Sequence, residues 1–287
     1  MTNDSHTYDT ITFLSDFGHR DEFVGVVHSV IRSIAPDAAV IDLCHDITPF
    51  DVRGAGLLLA RSVPYLARGV VVAVVDPGVG TPRRAIAVEV GDGASVLIGP
   101  DNGVLAPAVA MVGGADRAVE LTRTEHQLPA DGPTFHGRDI FGPAAAALCS
   151  GVAFEELGSL VDTSSLVPGV LPVSRLEGDE LIAEVLWIDR FGNAQLNVDP
   201  DEIDGFGPAV QLRIADAVRT AVRVATFGEV GPGEVGLIVD SYGLVTVVVD
   251  RGSAAADLGL DAGTEVVLVP GERAGGVATR VELGRRS

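Results

Sequence analysis

Residues 70–84 read VVVAVVDPGVGTPRR: six apolar residues run straight into Asp76, a Pro-Gly-x-Gly turn follows, and then Arg83 and Arg84. A short unbroken apolar run ended by turn residues predicts a strand buried on both faces. The segments before it set its context. TITFLSDFG (10–18) predicts a first strand ending in Ser15 and Asp16. DEFVGVVHSVIRSIAP (21–36) carries Phe23, Val26, Val27, Val30, Ile31 and Ile34 at helical spacing, and Pro36 stops it. AAVIDLCHDI (38–47) predicts a second strand, and DVRGAGLLLARSVPYL (51–66) a helix with Asp51 as its N-cap. This alternation of strand and helix predicts an α/β domain with a largely parallel central sheet. Such sheets bind ligands beyond the carboxyl ends of their strands, where Asp16, the Asp42–Asp46 cluster and Asp76 all fall.

Further strands are expected at 84–90 and 95–98, and GRDIFGPAAAALCSG (137–151) reads as a small-residue helix. After about residue 160 the texture changes. DTSSLVPGVLPVSR (162–175) has linker composition, and the short alternating runs beyond it predict a small all-β, barrel-like domain. The expected division is an N-terminal α/β domain over 1–165 and a C-terminal β domain over 166–287.

The chain has 287 residues and 47% hydrophobic content, enough for a sizeable core in one large or two ordinary domains. Net charge is −20, and all 20 basic residues are Arg. Such a chain lacks the basic clusters that hold nucleic-acid phosphates or anionic membrane surfaces. Its acidity suits a salt-rich host, though a biased genome composition also removes Lys. No apolar run approaches a membrane span, and the polar start lacks a secretory layout. Cys44 and Cys149 lack CxxC spacing, so free thiols in the cytoplasm are expected.

Individually, the polar stretches each admit two readings. DPGVGTPR is neither a dinucleotide fingerprint nor a P-loop, so Asp76 is a turn-capping or ion-paired acid or a functional one. In PTFHGRDIFGP (133–143), His136 is a general base or ligand, or else caps the following helix; Asp139 suits a helix N-terminus. Asp42, His45 and Asp46 suggest a metal only weakly, because no second HxxxH or HxH element accompanies them. Asp16 can accept both hydroxyls of a ribose diol or simply close a turn. In IDRFGNAQLN (188–197), Asp189, Phe191 and Asn193 can hold and stack a purine, or form an ordinary hairpin.

Taken together, TFLSDFG, DITPFDVRGAGLLL, VVDPGVGTPRR, GPDNGVL, TFHGRDIFGPAAA, IDRFGN and DSYGLVTVVVDRGSAA, in order over about residues 11–256, resemble one family. The chain is similar to the S-adenosyl-L-methionine (SAM) hydroxide adenosyltransferases, relatives of the SAM-dependent fluorinase and chlorinase. The resemblance implies that water displaces methionine from C5′ of SAM, giving adenosine and L-methionine. It places the water-activating Asp–Arg–His set on Asp76, Arg83 and His136, with Arg84 an alternative for the arginine. The halogenases are expected to lack this set. It assigns Asp16 to the ribose diol, Phe191 and Asn193 to adenine, and Asp189 and Ser241 to the methionine amine and carboxylate. It implies a homotrimer with each site between the N-terminal domain of one subunit and the C-terminal domain of the next. The chain departs from the fluorinase at Gln195, where an aromatic residue is expected. The chemistry calls for no metal or redox cofactor, since the sulfonium leaves as a neutral thioether. A chloride-using halogenase and a SAM- or nucleoside-binding module without turnover are the alternative functions, with a metal-dependent hydrolase built on Asp42, His45 and Asp46 further off.

Overall fold

The computed structural model describes residues 8–271, and the chain divides after Leu171 into two compact units. The first unit is built on seven strands: β1 (Thr10–Ser15), β2 (Ala39–Cys44), β3 (Val70–Val74), β4 (Ala85–Val90), β5 (Ser95–Pro100), β6 (Arg117–Glu120) and β7 (Ser159–Val161). They lie in the order β2-β1-β3-β5-β4-β6-β7. The β2, β1, β3 and β5 pairings are parallel, whereas β4 and β7 run against their neighbours. Helices α1 (Phe23–Ile34), α2 (Val52–Ser62), α3 (Ala106–Met111) and α4 (Gly142–Cys149) complete the unit.

Both sheet faces are covered, which is why β3 is apolar without alternation. Phe13, Val70, Val72 and Val74 face a core shared with Val27 and Ile31 of α1 and the alanines of α4. Leu14, Val71, Ala73 and Val75 face the other core, with Leu59 of α2 and Ala108 of α3. β2, at the sheet edge, is more open, and Ile41 is exposed. Ser15 pairs with Val74, so the chain leaves β1 toward Asp16 and β3 toward Asp76 at the same carboxyl edge.

The expected α/β class holds, and particular elements differ. The helix foreseen over 137–151 opens as a π-helical turn, Gly137–Phe141, before α4 begins. A π turn widens the helix locally and is common beside functional sites. Asp51 caps α2 as expected, accepting the Gly54 N–H at 2.8 Å. The stretch that reads as linker is partly anchored. Asp101, almost fully buried, takes the Val167 N–H at 2.8 Å, and Arg84 donates to the Ser165 hydroxyl at 3.0 Å. A buried carboxylate demands such partners, which local composition does not reveal.

The second unit carries β8 (Arg175–Glu177), β9 (Glu180–Ile188), β10 (Ala194–Leu196), β11 (Ala209–Ile214), β12 (Ala217–Arg223), β13 (Val235–Val239), β14 (Val245–Val249) and β15 (Glu265–Gly271), with a short helix α5 (Ala254–Leu258). Since β10 pairs with both β14 and β9, the strands from β9 to β15 close into a seven-stranded barrel, and β8 adds outside β9. Its interior is aliphatic, including Leu181, Val185, Leu196, Leu212, Leu237, Val247 and Leu268. Closure removes the exposed edges that short strands otherwise present.

Cys44 and Cys149 are unpaired, and burial pushes the Cys149 thiol up to about 11. Among the described residues no helix is long and apolar enough to cross a membrane.

Candidate active site

The acid that ends the β3 segment is met by an arginine seven residues later. Arg83 donates from Nε to Asp76 Oδ1 at 2.9 Å and Oδ2 at 3.0 Å, and from Nη2 to Oδ2. The same Nη2 lies 2.6 Å from Nδ1 of His136. The side chains of Asp76 and Arg83 are only 5% and 11% exposed, so this is a desolvated pair in which each charge depends on the other. The Phe141 ring lies 5.4 Å from the guanidinium, closing that side.

Local sequence explains the convergence. Gly80 has φ +77°, and a Cβ there would come 3.0 Å from the Pro133 carbonyl, so the turn packs closely on the segment leading to His136. The Asn102 amide donates to the Val75 carbonyl at 2.8 Å, fixing the chain just before Asp76. Arg84, the alternative arginine, turns elsewhere: its Nε donates to Asp101 at 2.8 Å. Arg83 is therefore the residue that joins the acid and the histidine.

The tautomer follows from these contacts. A guanidinium is always charged and only donates, so His136 Nδ1 is the acceptor and the neutral ring carries its proton on Nε2. Burial pushes the His136 imidazole below the ordinary histidine range, and the adjacent Arg83 cation pushes it further, against the opposing pull of Asp76 and Asp139. The cluster thus offers a neutral N–H donor and a carboxylate bridged by one cation. Phe135 precedes His136 in an aromatic group with Phe17 and Phe23, at ring separations of 5.7 and 5.0 Å.

Asp16, at the same sheet edge, accepts the Phe50 N–H at 2.9 Å through Oδ2. In the second unit, Asp189 organises the hairpin. Its Oδ1 accepts the N–H groups of Phe191 at 2.8 Å and Asn193 at 2.9 Å, and its Oδ2 the Asn193 amide at 2.7 Å. The turn chemistry foreseen for this stretch is therefore real. Gly192 permits it, with φ +86° and no room for a Cβ against Ser253. Asp189, Asn193 and Ser241 line one cavity of about 480 Å³, together with Trp187, Gln195 and Tyr242. Phe191 is 76% exposed and outside that lining.

Sequence reasoning passed over Asp240, which braces this cavity. Its Oδ2 takes the Gln195 amide at 2.6 Å and the Thr246 hydroxyl at 2.9 Å; its Oδ1 takes the Tyr242 N–H at 2.8 Å. The carboxylate therefore pins the turn that presents Ser241. Its signal was an acid interrupting the apolar run 235–249. Gln195, where an aromatic residue was expected, is a buried donor to that acid, and the aromatic residues lining the cavity are Trp187, Phe227 and Tyr242. Asp46 does not join Asp42 and His45 in a metal-capable group; His28 does.

Models of the SAM hydroxide adenosyltransferase N-terminal domain match residues 11–158, and those of its C-terminal domain residues 183–267. The chain belongs to the SAM hydroxide adenosyltransferase family. It is 45% identical to the (R)-S-adenosyl-L-methionine hydrolase of Salinispora tropica, over 91% of this chain and 98% of that one. The hydrolase of the same name from Thermus thermophilus is 43% identical, over 90% and 99%. The fluorinase of Actinopolyspora mzabensis is more distant, 26% identical over 92% and 98%. Among solved structures, an uncharacterised conserved protein from Thermotoga maritima superposes with a TM-score of 0.83 at 33% identity, covering 90% and 99%. The chain therefore has relatives named for hydrolysis at 43–45% identity and more distant ones named fluorinase at 26%.

Two outcomes follow. Because folding lowers the affinity of His136 for a proton, the unfolded chain binds more protons between the depressed folded value and about 6.5. Its contribution to stability is present above that window and is lost as pH falls through it. Denaturant midpoints taken from about pH 7 to pH 5 therefore drop more steeply for the wild type than for His136→Gln. Gln195→Glu sets two carboxylates face to face in a buried site. It lowers stability at neutral pH by about 1–3 kcal/mol, and urea titrations show the deficit shrinking once acid lets the pair share a proton.

Proposed function

We propose that the protein hydrolyses SAM at C5′, releasing adenosine and L-methionine, with Asp76, Arg83 and His136 acting on the attacking water. The observation that carries this reading is the Arg83 bridge, which gives Asp76 and His136 complementary roles. Water is a weak nucleophile, and the sulfonium is a good leaving group that departs as a neutral thioether. The protein's task is to place a water in line with the C5′–S bond and to accept its proton. Positioning of this kind is worth roughly 7–11 kcal/mol of barrier, and general-base assistance a further ~10²–10⁴-fold.

The tautomer divides the work. With its Nδ1 lone pair engaged by Arg83, His136 presents Nε2–H, which donates to the water oxygen and fixes its direction. Asp76 accepts the water proton as the O–C5′ bond forms and the C5′–S electrons pass to sulfur. Arg83 holds both groups in place and offsets the charge of the carboxylate. In the bound complex, Asp16 holds the ribose diol, Phe191 and Asn193 contact adenine, and Asp189 and Ser241 take the methionine amine and carboxylate. A substrate that carries a sulfonium and an ammonium also suits an acidic chain.

The catalytic and methionine-binding groups lie on different units. We infer a homotrimer in the cytoplasm, in which each site joins the first unit of one subunit to the second unit of the next. The hydrolase relatives and the Asp–Arg–His set favour water over halide as the nucleophile.

The direct test is chromatography of SAM incubated with pure protein. Wild type releases adenosine and methionine, whereas Asp76→Asn lowers kcat by about 10³-fold or more with a small change in KM. Absence of adenosine from a protein that still binds adenosine in calorimetry overturns the hydrolase reading in favour of a binding module. Mixing Asp76→Asn subunits with Ser241→Ala/Asp189→Asn subunits, after dissociation and reassembly, restores part of the activity that neither has alone. No restoration places each site within a single chain.

A further inference from the structure

Three side chains beneath the loop that carries Asp16 converge on one point. Nε2 of His28, from α1, lies 2.8 Å from Oδ1 of Asp42 on β2. Nε2 of His45, just past β2, lies 2.9 Å from the same oxygen. The three ligand-capable atoms all fall within 4.8 Å of one another. We propose that His28, Asp42 and His45 form a structural binding site for a divalent ion of the zinc, cobalt or nickel class, separate from the catalytic residues.

The donor set and its spacing suit such an ion. Two imidazole nitrogens and one carboxylate oxygen are ordinary zinc ligands at bond lengths of about 2.0–2.2 Å, which puts neighbouring donors roughly 3 Å apart. The site is also preorganised. His45 is 1% exposed, and its Nδ1 lies 2.7 Å from the Ser15 hydroxyl, which is itself buried. A ligating histidine characteristically has its second nitrogen held in this way. Ser15 also receives the Phe17 N–H at 3.3 Å, and its hydroxyl can either donate to Nδ1 or accept from it. It therefore accommodates the tautomer with its proton on Nδ1, which leaves Nε2 free for a metal. The ring of Phe13 packs against both imidazoles, with centroids 4.7 Å from His45 and 6.2 Å from His28.

The opposite side is open. The side chains of His28 and Asp42 are 33% and 41% exposed, giving an ion a route in and water to complete its coordination. The three ligands come from α1, an edge strand and the loop after it. An ion there ties α1 to β2 and braces the loop above, where the Gly18 N–H donates to the His45 carbonyl at 2.8 Å. Local sequence hides the site, because His28 stands 14 residues before Asp42 on another element.

Zinc titration of the full-length protein, stripped with chelator and followed by calorimetry, tests the proposal. His28 is on the open side of a helix, so His28→Ala tests the site without touching its buried parts. The wild type binds one zinc ion per chain at this site and gains several degrees in unfolding midpoint. His28→Ala loses about 100-fold or more in affinity and the thermal response, and Ser15→Ala loses about 10-fold. Cobalt in place of zinc gives a visible absorption band in the wild type that His28→Ala lacks. Identical zinc affinity and thermal response in wild type and His28→Ala overturn the proposal. The cluster is then held by protons alone, each Nε2–H donating to the shared carboxylate oxygen.

Discussion

A buried guanidinium that serves a carboxylate and an imidazole at once is the constraint on which the carboxyl edge of the first unit's sheet depends. Arg83 cannot lose its charge, so its surroundings must satisfy it. Asp76 answers with both oxygens and His136 with a ring lone pair. Each response fixes something else. The carboxylate must sit just beyond β3, and the Gly-rich turn must fold tightly enough to return Arg83 to it, while His136 stands at the start of the π turn Gly137–Phe141. The result sets the tautomer of His136 and with it the separate parts of donor and acceptor.

The barrel uses the same device with different groups. Asp240 interrupts an apolar run, and its two oxygens are taken by Gln195, Thr246 and the backbone of the turn bearing Ser241. Asp189 does likewise for the hairpin bearing Phe191 and Asn193. In both, a carboxylate orders a tight turn at the rim of a cavity. Polar groups aimed by such turns lose little freedom when a ligand arrives, which favours binding through preorganisation. Structural and functional readings of these acids are thus compatible, since the turn is what aims the neighbouring side chain.

Much of this architecture was legible in the chain. The apolar run at 70–75, the helical spacing of 23–34 and the Asp51 cap each follow from local periodicity, and the structure has β3, α1 and α2 there. The alternating runs after residue 180 indicated strands, but closure into a barrel depends on β10 pairing on both sides, a non-local fact. The choice of Arg83 over Arg84 was equally hidden. The two arginines are adjacent, and only the positions of Asp76 and Asp101 show which way each turns. The π turn at 137–141 and the bracing role of Asp240 depend on neighbours distant in sequence. Local rules therefore located the polar residues, and three-dimensional packing decided what each one contacts.

The central claim is that Asp76 and His136 direct a water molecule to C5′ of SAM. Its most direct test is turnover in ¹⁸O-labelled water, in the presence of chloride, with mass analysis of the nucleoside. The account predicts one ¹⁸O atom in the 5′-hydroxyl of adenosine and no chlorinated nucleoside. Unlabelled adenosine, or 5′-chloro-5′-deoxyadenosine as the main product, contradicts it.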